Sequence, residues 1–265
     1  MRWLREHLVL LLGILILLYT FVPIFIVVLM SFNDPSSRNV YQFDAFTFYN
    51  WTHFCQPDGL CHSLWVSIQI GIAATLAATI LGTLAAFALV RWDFAGRSST
   101  NLLIFLPMAA PEIVLGSSLL ALFVAAGYSG SLGRGTILIA HIMFCLSFVV
   151  VTVRSRLAGM SDTLEQAAAD LYATPRQTFW RVTFPLVFPG ILGAALLSFS
   201  LSFDDFIITN LNAGTTTTFP MYVWGANQRG VPMQVNVVGT MMFVISVVIV
   251  VGAELNHRRR MRALV

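Results

Sequence analysis

Six stretches of the chain carry no Asp, Glu, Lys or Arg: residues 7–33, 59–90, 113–133, 135–153, 182–203 and 230–253. About 20 apolar residues cross the hydrocarbon core of a bilayer, and each stretch meets that length. A backbone in lipid must satisfy its own hydrogen bonds, so these stretches predict helices. Spans are expected near residues 8–30, 63–90, 101–125, 135–153, 186–208 and 236–254. The expected fold class is all-α: a polytopic membrane protein with about six transmembrane helices, forming one domain over residues 1–265. Along the second span, Ala74, Ala78, Gly82 and Ala86 recur at every fourth position. Such a ridge lets a neighbouring helix approach closely.

Composition agrees with this reading. Only 10% of residues are charged, whereas 57% are hydrophobic; a soluble domain carries about 25% charged residues. Every basic residue is Arg. A P-loop needs its Lys to reach the nucleotide phosphates, so a standard ATP site is excluded. The sequence pI near 9.0 does not point to nucleic acid, because the arginines flank apolar runs rather than line one soluble face. With the N-terminus inside, Arg2, Arg5, Arg91, Arg97, Arg154, Arg156, Arg176, Arg181, Arg258, Arg259, Arg260 and Arg262 are cytoplasmic, and only Arg38, Arg134 and Arg229 are outside. The positive-inside rule then places both termini in the cytoplasm. The run from Leu8 to Met30 is too long for a signal-peptide core and no small-residue cleavage site follows, so it reads as a retained first span.

The first outer loop holds Cys55 and Cys61 around a Gln-Pro-Asp-Gly turn. A disulfide is permitted in an oxidising compartment; two unrelated thiols are the alternative. Cys145 lies inside a span and reads as a small buried hydrophobe. The outer segment 209–235 carries Tyr222 and Trp224. It is long for a hairpin and fits an outer gate, a partner contact, or part of the interfacial aromatic belt.

The segment 154–182 differs from the rest. Thr163 with Gln166 makes one capping-box pattern, before Ala167, Ala168 and Ala169. Thr174, Pro175 and Gln177 make a second, with Pro in its favoured first-turn place. Two short helices broken near Tyr172-Ala173 are expected. The stretch LEQAAADLYATPRQTFWRVTFP resembles the EAA loop of ABC importer permeases. Gln166 stands where that pattern has Glu, with Glu165 adjacent, and Tyr172 stands where it has Gly. If the Gly serves a left-handed turn, Tyr there costs about 1 kcal/mol or more. HIMFCLSFVVVTVRSRLAGM, SFDDFIIT, PEIVLGSSLLALF and SFND are similar to the spermidine/putrescine-type permeases, so the resemblance covers most of the chain from Leu64 to Val251.

The resemblance implies a type I ABC importer permease with a MetI-like fold, in a bacterial cytoplasmic (inner) membrane. It implies a second permease subunit, an ATPase dimer that binds the ATP and Mg, an extracytoplasmic solute-binding protein, and a small cationic cargo. No cofactor, metal or catalytic residue is expected in this chain. Glu165, Gln166, Ala167, Ala168, Asp170 and Tyr172 would then form the ATPase coupling surface.

Three acids lie in or near the spans: Glu112 near the middle of the third, and Asp204 and Asp205 near the outer end of the fifth. A charge at mid-bilayer costs about 2.5–3.5 kcal/mol on the lenient insertion scale, so such groups face a bundle interior or a watery cavity. They suit attraction of ammonium groups, with Tyr222 and Trp224 as aromatic partners. The alternative is a structural role. Neighbouring helical residues point about 100° apart, so only one of Asp204 and Asp205 is expected on the pathway. Pro107 and Pro111 are expected to kink or loosen the third span. Competing functions are a permease for another small solute, or a secondary transporter or channel, which broken helices and inverted repeats would favour. A membrane enzyme is more remote: His141 alone reads as a packed polar residue, and Glu112 has no nucleophile or metal-ligand set nearby in sequence.

Overall fold

The computed structural model of the protein describes residues 2–36, 42–161 and 163–262. Arg38, one of the three outer arginines, and the C-terminal Val265 lie outside them. The described residues form helices α1 (Arg2–Met30), α2 (Tyr49–Thr52), α3 (Leu60–Arg91), α4 (Arg97–Ala109), α5 (Glu112–Ala125), α6 (Arg134–Ala158), α7 (Thr163–Asp170) and α8 (Pro175–Thr178). A π-helical turn, Phe179–Thr183, follows, then α9 (Phe184–Asp204), α10 (Ile207–Asn212), α11 (Phe219–Arg229) and α12 (Met233–Arg262). Among these residues there is no strand, only one antiparallel bridge between Asn33 and Phe46. Four helical segments are long and apolar enough to cross a membrane: His7–Met30, Leu60–Arg91, Arg134–Ala158 and Pro175–Asp204. The pair α4 and α5 makes a fifth, and Met233–Ile249 is a shorter apolar stretch within α12.

Two expected spans are not single helices. The third, 101–125, is broken between α4 and α5, whose axes differ by 111°. Pro111 has no N–H to continue the helix and drives the residue before it into extended backbone, as seen at Ala110 (φ −77°, ψ 139°). Pro107 sits inside α4 without ending it. The fifth, 186–208, ends at Asp204, where Asp205 is extended (ψ 124°) before α10 begins. Glu112 is therefore not at the middle of a helix but in the first turn of α5, exposed, where the helix dipole favours a carboxylate.

The chain packs as two compact units, residues 62–222 and residues 1–61 with 223–265. The larger is built around α6. Its buried residues include Ala140, Phe144, Cys145, Val149, Val150, Val153 and Leu157, and α9, α4 and α10 pack on it. The small-residue ridge of α3 serves this core: Ala74, Ala78 and Ala86 are fully buried. A Cβ on Gly82 would stand 2.7 Å from Val149 Cγ1, so only Gly permits that approach. Arginines close the ends of the same helices. Arg97 Nε donates to the Leu89 carbonyl (3.0 Å), Arg154 Nη1 to Asn101 Oδ1 (2.7 Å), and Arg156 Nε to the Leu186 carbonyl (3.0 Å).

In the other unit α1 packs on α12, with Phe21 edge-on to Phe243, and α2 also meets α12. The apolar stretch of α1 has no residue buried within the chain, as suits a helix clothed by lipid or by another subunit. Beyond it, Asn50 Nδ2 donates to the Asn33 carbonyl (2.8 Å), and the Asp44 N–H donates to Asn33 Oδ1 (2.9 Å). Phe32 stacks on Phe46 and Trp51. Cys55 and Cys61 are joined as a disulfide, with Cα atoms 5.2 Å apart.

The tightness at Gly82 is testable. Gly82→Leu should destabilise the protein by about 1–3 kcal/mol, the usual cost of overpacking. Gly13→Leu, where an added Cβ meets nothing within 4 Å, should be neutral. Thermal unfolding in detergent checks both; equal melting temperatures would show that the α3 ridge yields freely.

Candidate functional site

The two adjacent acids, of which one was expected on the pathway, are separated by the end of α9. Asp204 closes that helix and is exposed, whereas Asp205 is buried. The Asp205 carboxylate turns back on α10. Its Oδ2 accepts the Thr209 N–H (2.7 Å) and the Thr209 hydroxyl (2.8 Å), and its Oδ1 accepts the Ile208 N–H (3.4 Å). These are first-turn groups of α10 that have no intrahelical partner. His141 of α6 stands on the other side, its Nε2 3.3 Å from Asp205 Oδ2 and 2.9 Å from Thr209 Oγ1. Its Nδ1 is 2.7 Å from Ser202 Oγ. Since the Thr209 hydroxyl gives its proton to Asp205, its lone pairs face His141, and Nε2 is the nitrogen that must carry a proton. One turn on, Asn212 Nδ2 donates to the carbonyls of Ile208 (2.9 Å) and Gly116 (3.1 Å).

This arrangement uses the Asp205 oxygens inside the bundle and leaves Asp204 as the exposed member of the pair. Sequence reasoning placed His141 as a packed polar residue but missed its partners. A signal existed. Ser198, Ser202, Asp205, Thr209 and Asn212 are spaced by three and four, a polar stripe of helical period within an apolar run. All five are buried. The exposed acids Glu112 and Asp204 remain candidates for the pathway, with Tyr222 half-buried on α11. Trp224, 56% exposed, belongs to the other packing unit.

The 154–182 segment forms the two expected short helices. At α8 the capping box is present: Gln177 N–H donates to Thr174 Oγ1 (3.4 Å), and Gln177 Oε1 accepts the Thr174 N–H (2.9 Å). At the head of α7 the hydroxyl that accepts a backbone N–H is that of Ser161, to Thr163 (3.3 Å), in place of the expected Thr163–Gln166 box. Between the helices Tyr172 adopts φ 57°, the one positive φ of a non-glycine among the described residues. Ala173 N–H reaches the Ala168 carbonyl (3.0 Å) and Tyr172 N–H the Ala169 carbonyl (2.9 Å). That is a Schellman ending, whose left-handed position is normally Gly. Tyr172 is 95% exposed and Leu171 82%.

The expected coupling residues divide by direction. Gln166, Ala167, Asp170 and Tyr172 are exposed, and Ala168 is half-buried. Glu165 instead turns toward the body of the larger unit. Arg91 Nη1 donates to its Oε2 (2.8 Å) and Nη2 to its Oε1. Thr183 donates its hydroxyl to Oε1 (2.6 Å). Burial alone would raise the Glu165 pKa, but the Thr183 hydroxyl and the Arg91 guanidinium outweigh it and hold the carboxyl below its ordinary value of 4.5. A depressed carboxylate stabilises above its ordinary pKa, so this contact is present at neutral pH and is lost as pH falls through the lowered value. Arg91 and Thr183 were not singled out by sequence; Arg91 read only as one more cytoplasmic arginine.

Residues 78–262 match the family described as "Binding-protein-dependent transport system inner membrane component". The chain is 35% identical over 237 residues to the putrescine transport system permease protein PotI of Escherichia coli, covering 86% of this chain and 84% of that one. It is 34% identical over 242 residues to the spermidine/putrescine transport system permease protein PotC of Haemophilus influenzae, covering 91% and 93%. Among solved structures it resembles a chain of a bacterial ABC transporter involved in import of the acidic polysaccharide alginate. There the TM-score is 0.64 at 21% identity, covering 96% of each chain. It also resembles a chain of the inward-facing MetNI methionine ABC transporter, with TM-score 0.57 at 15% identity, covering 78% of this chain and 96% of that one.

The Asp205 assignment predicts a stability effect. Asp205→Ala removes the acceptor of the Ile208 and Thr209 N–H groups and of the Thr209 hydroxyl, and leaving a buried donor unsatisfied costs about 1–3 kcal/mol. The variant should show reduced yield and a lowered melting temperature in detergent, whereas Asp204→Asn should melt like the parent. An Asp205→Ala protein of parental stability would return Asp205 to the list of pathway candidates.

Proposed function

The chain belongs to the family of binding-protein-dependent transport system inner membrane components, and on that premise we propose that it forms half of the pathway of an ABC importer for small polycations of the spermidine and putrescine class. The observation that carries the cargo reading is the 34–35% identity, over most of the chain, to permeases named for those two solutes. The exposed carboxylates of Glu112 and Asp204 support it, since ammonium groups seek such acids. Both acids mark a break in a helix, where a solvated carboxylate is affordable.

ATP hydrolysis falls to separate subunits, because a chain without Lys has no P-loop. The loop of α7 and α8 is the docking element for them. Its exposed face carries Gln166, Ala167, Asp170, Leu171 and Tyr172. A Tyr at a left-handed position, where Gly is less strained, agrees with a contact role for that exposed ring. A second permease and an external solute-binding protein complete the assembly. The Arg asymmetry supports cytoplasmic termini and a cytoplasmic α7–α8 loop.

A permease for a different small solute is the second reading. It is favoured by the name of one chain with this fold, that of a methionine transporter. The broken helices that would suit a secondary transporter are present at α4–α5 and α9–α10. Membership of the family outweighs them.

The cargo is tested on the assembled complex with its binding protein in nanodiscs. Spermidine or putrescine should raise ATP hydrolysis above the rate with methionine or no solute. Glu112→Gln and Asp204→Asn should each lower uptake per complex by roughly tenfold, as expected when one charged contact is lost. Stimulation by an uncharged or anionic solute, with none by polyamines, would decide for the second reading. Orientation is tested by reporter fusions after Thr163 and after Asn212, which should report opposite compartments; matching signals would refute the assigned topology.

A further inference from the structure

Glu165 lies on the loop expected to meet the ATPase, yet its side chain is engaged elsewhere. Its partners come from two distant parts of the larger packing unit. Arg91 is the last residue of α3, 74 positions away, and binds both carboxylate oxygens. Thr183 ends the π-helical turn that leads into α9, 18 positions away, and is itself buried. A guanidinium that binds both oxygens fixes orientation as well as distance. The pair is only partly exposed, 30% for the Arg91 side chain and 23% for Glu165, so solvent does not screen it fully.

The surroundings give this contact mechanical weight. The backbone of α7 packs on α8 and the π-helical turn. Beside the ion pair lies a cavity of about 610 Å³, walled by Phe87, Trp92, Ala169 and Phe179 among others. Side chains therefore do not fill the space between α7 and the end of α3. Glu165 reaches across it to bind Arg91. The π-helical turn is a further sign, since such turns recur at functional positions and make a helix locally adjustable.

We propose that Arg91 and Thr183 are positioning residues for coupling: by clamping Glu165 they fasten α7 to the end of α3 and to the head of α9, so that force on the loop moves those two spans together. The clamp rests on the reading of the loop as the ATPase-docking element. It adds that Glu165 transmits motion inward while the exposed face, from Gln166 to Tyr172, makes the outward contact.

The test uses the complete complex with its binding protein in nanodiscs, measuring solute imported per ATP hydrolysed. Arg91→Gln, Glu165→Gln and Thr183→Val should still assemble, but solute moved per ATP should fall roughly tenfold for the two charge variants, the size expected for one charge-assisted contact. Thr183→Ser keeps the hydroxyl and should restore the ratio. Exchanging the charges, Arg91→Glu with Glu165→Arg, should recover it better than either change alone. A merely structural role would lower yield and melting temperature while leaving solute per ATP at the parental value, and that result overturns the clamp. A bismaleimide bridge across Arg91→Cys and Glu165→Cys gives an independent outcome. If the segments move as one, the bridged complex imports solute; if bridging abolishes import, the clamp is wrong. The docking premise is judged separately, by cross-linking Tyr172→Cys to the ATPase. Failure of that cross-link removes the premise, whereas failure of the import ratios alone removes only the clamp.

Discussion

Every backbone N–H and C=O within the hydrocarbon must find its partner inside the protein, and the rest of this structure follows from that constraint. Continuous helices meet it along α1, α3 and α6. Where a helix is interrupted, nearby groups restore the balance. At Pro111 the proline carbonyl accepts the N–H groups of Val114 (2.9 Å) and Leu115 (3.1 Å), and the Ala110 N–H reaches back to Leu106 (3.0 Å). At Asp205 the carboxylate supplies what the backbone lacks and binds the first N–H groups of α10. Asn212 then ties α10 to the Gly116 carbonyl of α5. Gly116 permits the approach, since an added Cβ would stand 3.2 Å from Ile208 Cα. The two breaks thus end up packed on one another, α10 against α5.

A permease needs helices that are not uniform rods, because solute must pass where backbone and charge become accessible. Breaks leave acids at helix ends, Glu112 beginning α5 and Asp204 ending α9. Their neighbour Asp205 spends its charge on holding the break, with His141, Ser202 and Thr209 completing the network. One interruption therefore yields both a buried acid bonded within the bundle and an exposed one. A similar division appears in the α7–α8 loop, where Glu165 faces the spans and Tyr172 faces solvent. In both places adjacent or nearby polar residues differ in role because the backbone between or around them leaves the regular helix.

The arginines illustrate how one residue type carries two layers of information. Their distribution along the chain is what the expected orientation rests on, by a rule that ignores structure. In the folded protein several also fasten helix ends: Arg97 on the Leu89 carbonyl, Arg154 on Asn101, Arg156 on the Leu186 carbonyl and Arg91 on Glu165. Guanidinium suits these places, with several donors in a rigid plane. Position in the sequence carries the first layer as an expectation and gives no sign of the second.

What the sequence by itself determined was local in origin. Apolar length fixed where helices run, since lipid leaves the backbone no other partner. Capping residues fixed α8 around Thr174, Pro175 and Gln177. The small-residue ridge of α3 marked a packing face, and the EAA-like stretch with its flanking segments identified the family. The tertiary structure decided matters that depend on residues far apart. The third span was expected to kink or loosen at its prolines and the fifth to run on to 208; in the fold Pro111 bends the one by 111° and α9 ends at Asp204, with α10 and α5 packed on each other. Which acid is buried was settled by His141, whose bond to Ser202 spans 61 positions. The direction of Glu165 was settled by Arg91, 74 positions away. Hydrophobic period and cap chemistry act over a few residues and can be read along a line; the pairing of a buried charge is set by whatever the fold brings beside it.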